Sequence, residues 1–229
     1  MSRMADIQQS SVWYDFADPA ALYYTDKLEY HNWNHACKVA ENADVIAEQC
    51  FGRGLFLDRN VVMVAAAWHD AAYYEDHKAA GHDTKEQYSA ALAAAYLRQE
   101  GATDEFIGEV EEAILGTTHR AVRKSLAALV LHWADIAEVG AEYKTFATNN
   151  YRLLQEARRQ QPALKFTEWQ AATNNFLGVV ITESMAELPK LGEDTSGYNR
   201  FPQVVGRNRD KFMKESDEKA FSEAYSGAA

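Results

Sequence analysis

Val61-Val62-Met63-Val64-Ala65-Ala66-Ala67-Trp68-His69-Asp70 decides the fold. Seven small or apolar residues lead into a tryptophan and then into an imidazole and a carboxylate. A run this apolar requires a packed interior, and its last two residues are carried into that interior or to its rim. Burying an unpaired carboxylate costs several kcal/mol even after relaxation, so Asp70 requires a partner. A metal ion would partner both side chains at once, because neutral imidazole and carboxylate are ordinary ligands of divalent ions. The other reading is an aspartate capping the next turn beside a hydrogen-bonded core histidine. On the dipeptide alone both stay open.

Outward from this stretch the pattern is helical. Asp58 is placed to cap the helix that carries His69 and Asp70. Before it, Ala36, Val39, Ala40, Ala43, Ile46, Ala47 and Cys50 recur at three and four, an amphipathic helix stopped by Gly52 and Gly54. Asp18-Pro19 starts a helix expected to run through Leu22 to about Glu29, and 30–34 break the pattern. Residues 71–82 read as a polar and aromatic loop. Asp83-Thr84-Lys85-Glu86 has the form of a capping box opening a helix to Gly101. Thr103 caps the next helix, and Ser125 another from Leu126 to Gly140. A longer helix runs from Glu142 to Pro162, and one starting at Thr167 carries Trp169, Phe176, Val180 and Leu188. Residues 189–203 read as a loop, followed by a polar helix from about Val204 and a frayed end. There is no convincing strand and no internal repeat. The expectation is one all-α domain of about eight helices over 1–229. Its metal-binding core covers about 20–140, with the helices of 142–229 packed on it.

The chain has 229 residues, enough for a real core, and 47% of them are hydrophobic. No stretch reaches the ~18 consecutive apolar residues of a membrane helix, and no signal-type apolar segment is read near the N-terminus. Two cysteines without a Cys-x-x-Cys exclude a disulfide scaffold and a cysteine zinc site. A cytoplasmic protein is expected. The net charge of −11, without a long basic run, disfavours nucleic acid as the main partner. A small phosphorylated ligand remains compatible with it, given a local cluster of cations.

Two more ligand-type residues fall on apolar faces. His35 lies four residues before Val39, on the core stripe of its helix. Asp135 closes Leu129-Val130-Leu131-His132-Trp133-Ala134-Asp135, which offers little polar surface. The order His35…His69-Asp70…Asp135 resembles the signature of the HD superfamily of metal-dependent phosphohydrolases. Tyr30-His31-Asn32-Trp33-Asn34-His35 is similar to the Tyr-His-Asn-x-x-His opening of one bacterial branch, and Trp68-His69-Asp70 to its central motif. Lys85-Glu86-Gln87-Tyr88-Ser89-Ala90 resembles its Asn-Glu-x-x-Ser-Ala motif, with Lys85 in place of Asn. Thr117-Thr118-His119, Trp133-Ala134-Asp135-Ile136 and Arg207-Asn208-Arg209 resemble its later elements. The resemblance spans about residue 20 to 215. It implies an all-helical fold, one or two divalent metals, and hydrolysis of phosphoester or phosphoanhydride bonds.

His35, His69, Asp70 and Asp135 are then the metal ligands. A mixed N/O set suits Mn²⁺ first, with Fe²⁺, Co²⁺, Ni²⁺ or Zn²⁺ as alternatives. The ion lowers the pKa of bound water and polarises the phosphoryl group. Glu86, Glu75 and Asp76 are candidate bases, Glu86 being also a capping-box residue, and Asp70 is counted with the catalytic group. His31 and His119 are candidates for substrate phosphate or a second metal. Arg120, Arg123 and Lys124 form a basic turn suited to an anion, with Lys78, Arg207 and Arg209 behind them. His77 and His82 fall in the polar loop, and His132 beside Asp135. The expected partner is a small phosphorylated substrate, a nucleotide first; a homodimer is left open. Two further readings stand beside hydrolysis: a di-iron oxygenase on the same fold, drawing on His119 or His82, and a non-catalytic nucleotide-binding protein.

Overall fold

The structure, a computed structural model, describes Met4, Ile7, residues 10–191 and residues 200–226. Among these residues the chain is helical throughout, with no strand, and no helix is long and apolar enough to cross a membrane. It divides into two compact units, Met1–Asp135 and Ile136–Ala229.

The first unit is built around α2 (Arg59–Trp68), which is buried from Val61 to Trp68. Around it lie α1 (Trp33–Gly52), α3 (Lys85–Gln99), α4 (Asp104–Leu115), α5 (Leu126–Asp135) and the π-helical turn Trp13–Ala17. A helix buried on every side needs no polar face, which is why the run 61–68 carries none. Its start is fixed by Asp58, whose carboxylate accepts from the Asn60 N–H at 2.8 Å. Its end is fixed by groups that take up the last carbonyls, which have no partner within a helix. The Tyr24 hydroxyl donates to the Ala67 carbonyl at 2.9 Å and the His69 ring to the Ala66 carbonyl at 2.7 Å, while the Trp68 indole N–H ties the helix end to the Phe16 carbonyl at 2.7 Å.

Several expected boundaries move. The helix expected from Asp18 to about Glu29 is a 3-10 turn, Asp18–Tyr23; extended backbone at Tyr24 redirects the chain so that its hydroxyl meets α2. α2 itself stops at Trp68, so His69 is its C-cap and Asp70 lies in the turn beyond. The helix expected over Leu126–Gly140 breaks after Asp135, and Ala137–Gly140 is a separate 3-10 turn. At α3 the cap is Thr84, accepting from the Gln87 N–H at 3.2 Å, while the Gln87 side chain accepts from the Asp83 N–H at 2.9 Å. Gln87, three residues after Thr84, takes the reciprocal place expected of Glu86, and the Glu86 carboxylate is released from capping.

The second unit holds α6 (Tyr143–Gln160), α7 (Phe166–Glu187), α8 (Arg200–Phe212) and α9 (Glu218–Tyr225). Phe146, Phe166, Phe212 and Phe221 form its core, with ring centroids 5.3–5.9 Å apart. The single polar helix expected from about Val204 is two helices, parted before Asp217, which caps α9. Asn208, in the segment resembling a family motif, is buried and donates to the carbonyls of Val139 and Ala141 at 3.0 and 2.9 Å. The loop expected over 189–203 falls largely on 192–199; these residues and the expected frayed end at 227–229 lie outside the described ones.

The turn after Asp70 is anchored by Ser89 of α3, fully buried, whose hydroxyl accepts from the Ala72 N–H at 3.0 Å. Ser89→Ala leaves that amide buried and unpaired, so unfolding free energy measured in urea should fall by ~1–3 kcal/mol.

Candidate metal centre

Three helix ends meet at one point. His35 is the third residue of α1, whose cap Asn32 accepts from the His35 N–H at 3.3 Å and the Asn34 N–H at 3.0 Å. His69 follows the last residue of α2, and Asp135 is the last residue of α5. One ligand atom from each of His35, His69 and Asp135 lies within 4.8 Å of the others. The His35 Nε2 is 3.1 Å from the Asp135 Oδ1. The His69 Nε2 is 3.1 Å from the Asp70 Oδ2 and 3.5 Å from the Asp135 Oδ1. Asp70 completes the group, with its Oδ2 3.6 Å from the His35 Nε2. His35, His69 and Asp70 are 7%, 1% and 4% exposed, so these three are screened from water and their charges act at close range; the Asp135 side chain is 23% exposed and opens one side of the cluster.

The donor set fits a divalent transition metal on two counts. The His69 Nδ1 lies 2.7 Å from the Ala66 carbonyl, which can only accept; the ring therefore donates from Nδ1. That is the arrangement which fixes the tautomer of a metal-binding imidazole and leaves Nε2 as the ligand atom. The Nε2 itself is buried and makes no hydrogen bond among the described residues, although two carboxylate oxygens stand close by. An imidazole nitrogen left as acceptor, with two carboxylates beside it, suits a shared cation.

In the absence of an ion the same contacts set the protonation. Burial works against charge on His69, but the Asp70 and Asp135 carboxylates outweigh it and raise its pKa well above the ordinary imidazole range. Burial likewise works against ionised Asp70, yet the Lys85 ammonium and His69 hold its pKa well below the carboxylate range. Asp135 is depressed in the same way: burial opposes its charge, and His69 and His35 prevail.

Beside the cluster, the Lys85 Nζ is 3.0 Å from the Asp70 Oδ1 and 3.7 Å from the Glu86 Oε1, and 4.0 Å from the centroid of the Tyr73 ring. In the sequence Lys85 shows as a capping-box member and a departure from a motif, not as a site residue. The available signal was a cation at the first position of a helix, where the macrodipole disfavours it. His31 stacks on Tyr73 with centroids 3.6 Å apart and meets His35 edge-on at 5.7 Å. Among the aromatics near the cluster, Trp68 is fully buried and Tyr73 is taken up by His31 and Lys85.

The remaining candidates are placed differently. Glu75, Asp76 and Lys78 are exposed in the turn after Asp70; His77 and His82 are half-buried, and His82 stacks on Tyr88. His119, Arg120 and Lys124 are exposed, and Arg120 has a φ of +62°. Arg123 is half-buried: its Nε donates to the Gly116 carbonyl at 3.2 Å and its Nη2 lies 3.0 Å from the His132 Nδ1. Burial, with Arg123 adding to it, pushes the pKa of His132 down to about 3, so this ring accepts from the guanidinium. Arg123 thus braces the turn that carries Arg120 and Lys124. Arg207 and Arg209 lie on α8 in the second unit.

The sign of these shifts gives a pH test. Stability from charged His69 is full below its unfolded pKa of ~6.5 and is lost as pH rises through the raised folded value. Stability from Asp70 and Asp135 is present above ~4 and is lost as pH falls through their depressed values. The metal-free protein should therefore lose stability on the acid side of about pH 4 and again well above about pH 6.5. Uptake of an ion near pH 7 should release roughly one proton, from His69. Calorimetric titration with Mn²⁺ in buffers of different ionisation enthalpy counts it; no release would mean that His69 is already neutral.

No family model matches the sequence, and no curated protein matches it. Among solved structures, the chain is similar to the crystal structure of the phosphodiesterase domain of Salpingoeca rosetta rhodopsin phosphodiesterase. The TM-score is 0.63 at 14% identity, covering 97% of this chain and 87% of that one. At that identity the likeness is one of fold: the chain shares an all-helical architecture with a phosphodiesterase domain.

Proposed function

We propose that the protein is a metal-dependent phosphohydrolase that cleaves a phosphoester or phosphoanhydride bond in a nucleotide or another small phosphorylated metabolite. The observation that carries this reading is the convergence of His35, His69 and Asp135, with Asp70, on one buried point. Two supports come from outside the site. One is the fold shared with a phosphodiesterase domain. The other is the resemblance of the ordered ligands to the HD superfamily. The chain is read as one HD-type protein, acting in the cytoplasm.

His35, His69, Asp70 and Asp135 would hold the ion, with Mn²⁺ first among the candidates. When bound, the ion supplies Lewis-acid polarisation of the phosphoryl group and an acidified water. The protein supplies the rest. Ala66 orients the His69 ring through Nδ1. Lys85 offers an ammonium beside Asp70 to a phosphoryl oxygen. Glu86, freed from capping and 13% exposed in its side chain, is better placed than exposed Glu75 to take a proton from the attacking water. His31 and the exposed His119, Arg120 and Lys124 are the groups left for the remainder of the substrate. The positive charge of Arg120 and Lys124 matters, because a chain of net charge −11 repels phosphates at long range.

Metal-loaded protein should release phosphate or pyrophosphate from at least one member of a panel of nucleotides, cyclic nucleotides and sugar phosphates. Asp135→Ala should lose bound metal and activity together; stoichiometric metal in that variant would remove Asp135 from the ligand set. Glu86→Gln should keep its metal and lose at least ~10²-fold in kcat. A change under about threefold would pass the base to another group.

A further inference from the structure

The number of ions can be read from the way Asp70 shares out its two oxygens. The Oδ2 faces the histidine pair, 3.1 Å from the His69 Nε2 and 3.6 Å from the His35 Nε2. The Oδ1 is taken by the Lys85 Nζ at 3.0 Å. A carboxylate that bridges two metal ions gives one oxygen to each, and here the second oxygen faces an ammonium. We infer that Lys85 fills, with its own side chain, the place of a second cation, so that the centre takes one divalent ion and not two. This rests on the metal-dependent reading above and adds the number of ions to it.

Three features carry the assignment. First, the Lys85 Nζ has the surroundings of a bound cation: the Asp70 Oδ1 at 3.0 Å, the Glu86 Oε1 at 3.7 Å, and the face of Tyr73 with its centroid 4.0 Å away. Second, Lys85 opens α3, where the positive end of the helix dipole works against a cation. A residue kept at that end is held by something stronger, and an Asp70 that is 4% exposed provides it. Third, Lys85 and His69 approach Asp70 through different oxygens, so the lysine does not compete with the ion for the oxygen facing the histidines.

The consequence for chemistry is a divided clamp. One divalent ion and one fixed ammonium face the phosphoryl group, where a two-ion centre would present two metals.

The experiment counts ions on the full chain. The protein is stripped with chelator, equilibrated with excess Mn²⁺, and bound Mn²⁺ is measured from the free-ion paramagnetic resonance signal. Wild type should hold one ion per chain. Lys85→Ala and Lys85→Met, the second keeping the apolar stem over Tyr73, should each hold two, the new ion lying between Asp70 and Glu86. Lys85→Arg should return the count to one. Far-UV circular dichroism identifies which variants are folded. Two ions in wild type would overturn the inference while leaving metal dependence intact. One ion in folded Lys85→Ala or Lys85→Met would also overturn it. No ion in wild type would instead overturn the metal-dependent reading on which it rests.

Discussion

The structure depends on two carboxylates and two imidazoles held together, all but Asp135 out of water. Asp70 and Asp135 would repel each other in a buried space, and neither could stay ionised there alone. His35 and His69 stand between them, and Lys85 closes the far side of Asp70. Each helix that delivers a ligand does so near an end, where backbone groups lack intrahelical partners and side chains must supply them. The Ala66 carbonyl takes the His69 ring, the Ala67 carbonyl takes Tyr24, and the Ala134 carbonyl takes the Asn42 amide. At His69 one hydrogen bond does both jobs, taking up a helix-end carbonyl and orienting the ring. The apolar α2 can end beside a charged group because its last turn is already satisfied.

Charge is distributed at two scales. The chain as a whole is strongly acidic, yet the cations near the cluster have distinct tasks. Lys85 is committed to Asp70, and Arg123 to the Gly116 carbonyl and His132. Arg120 and Lys124 face solvent on the turn that Arg123 braces. Of the three basic residues in the 120–124 turn, Arg123 is the one the fold uses internally.

Much of this was legible before any coordinates. The central helix, the core stripe carrying His35 and the caps Asp58, Thr84 and Thr103 follow from period and side-chain chemistry. His35, His69, Asp70 and Asp135 stand out in the sequence because each is a polar group on an apolar face, and the structure brings the four together. What escaped were features set by contacts remote in sequence. Tyr24 ends a helix early because its hydroxyl has a partner 43 residues away. The Lys85 contact with Asp70 spans 15 residues and a loop, and the local oddity of a cation at the start of α3 does not name its partner. The one-residue shift of the α3 cap, which releases Glu86, turns on whether Asp83 or Thr84 makes the bond, a choice that composition leaves open.

The central claim is that these side chains form one metal centre, and locating the ion tests it most directly. Crystals of Mn²⁺-loaded protein measured at the manganese absorption edge should give one anomalous peak per chain. That peak should lie among the His35 Nε2, the His69 Nε2, Asp70 and Asp135, within roughly 2.0–2.3 Å of each ligand atom. A peak elsewhere, or none at this cluster under saturating metal, would contradict the account and return these residues to a buried ion-pair network.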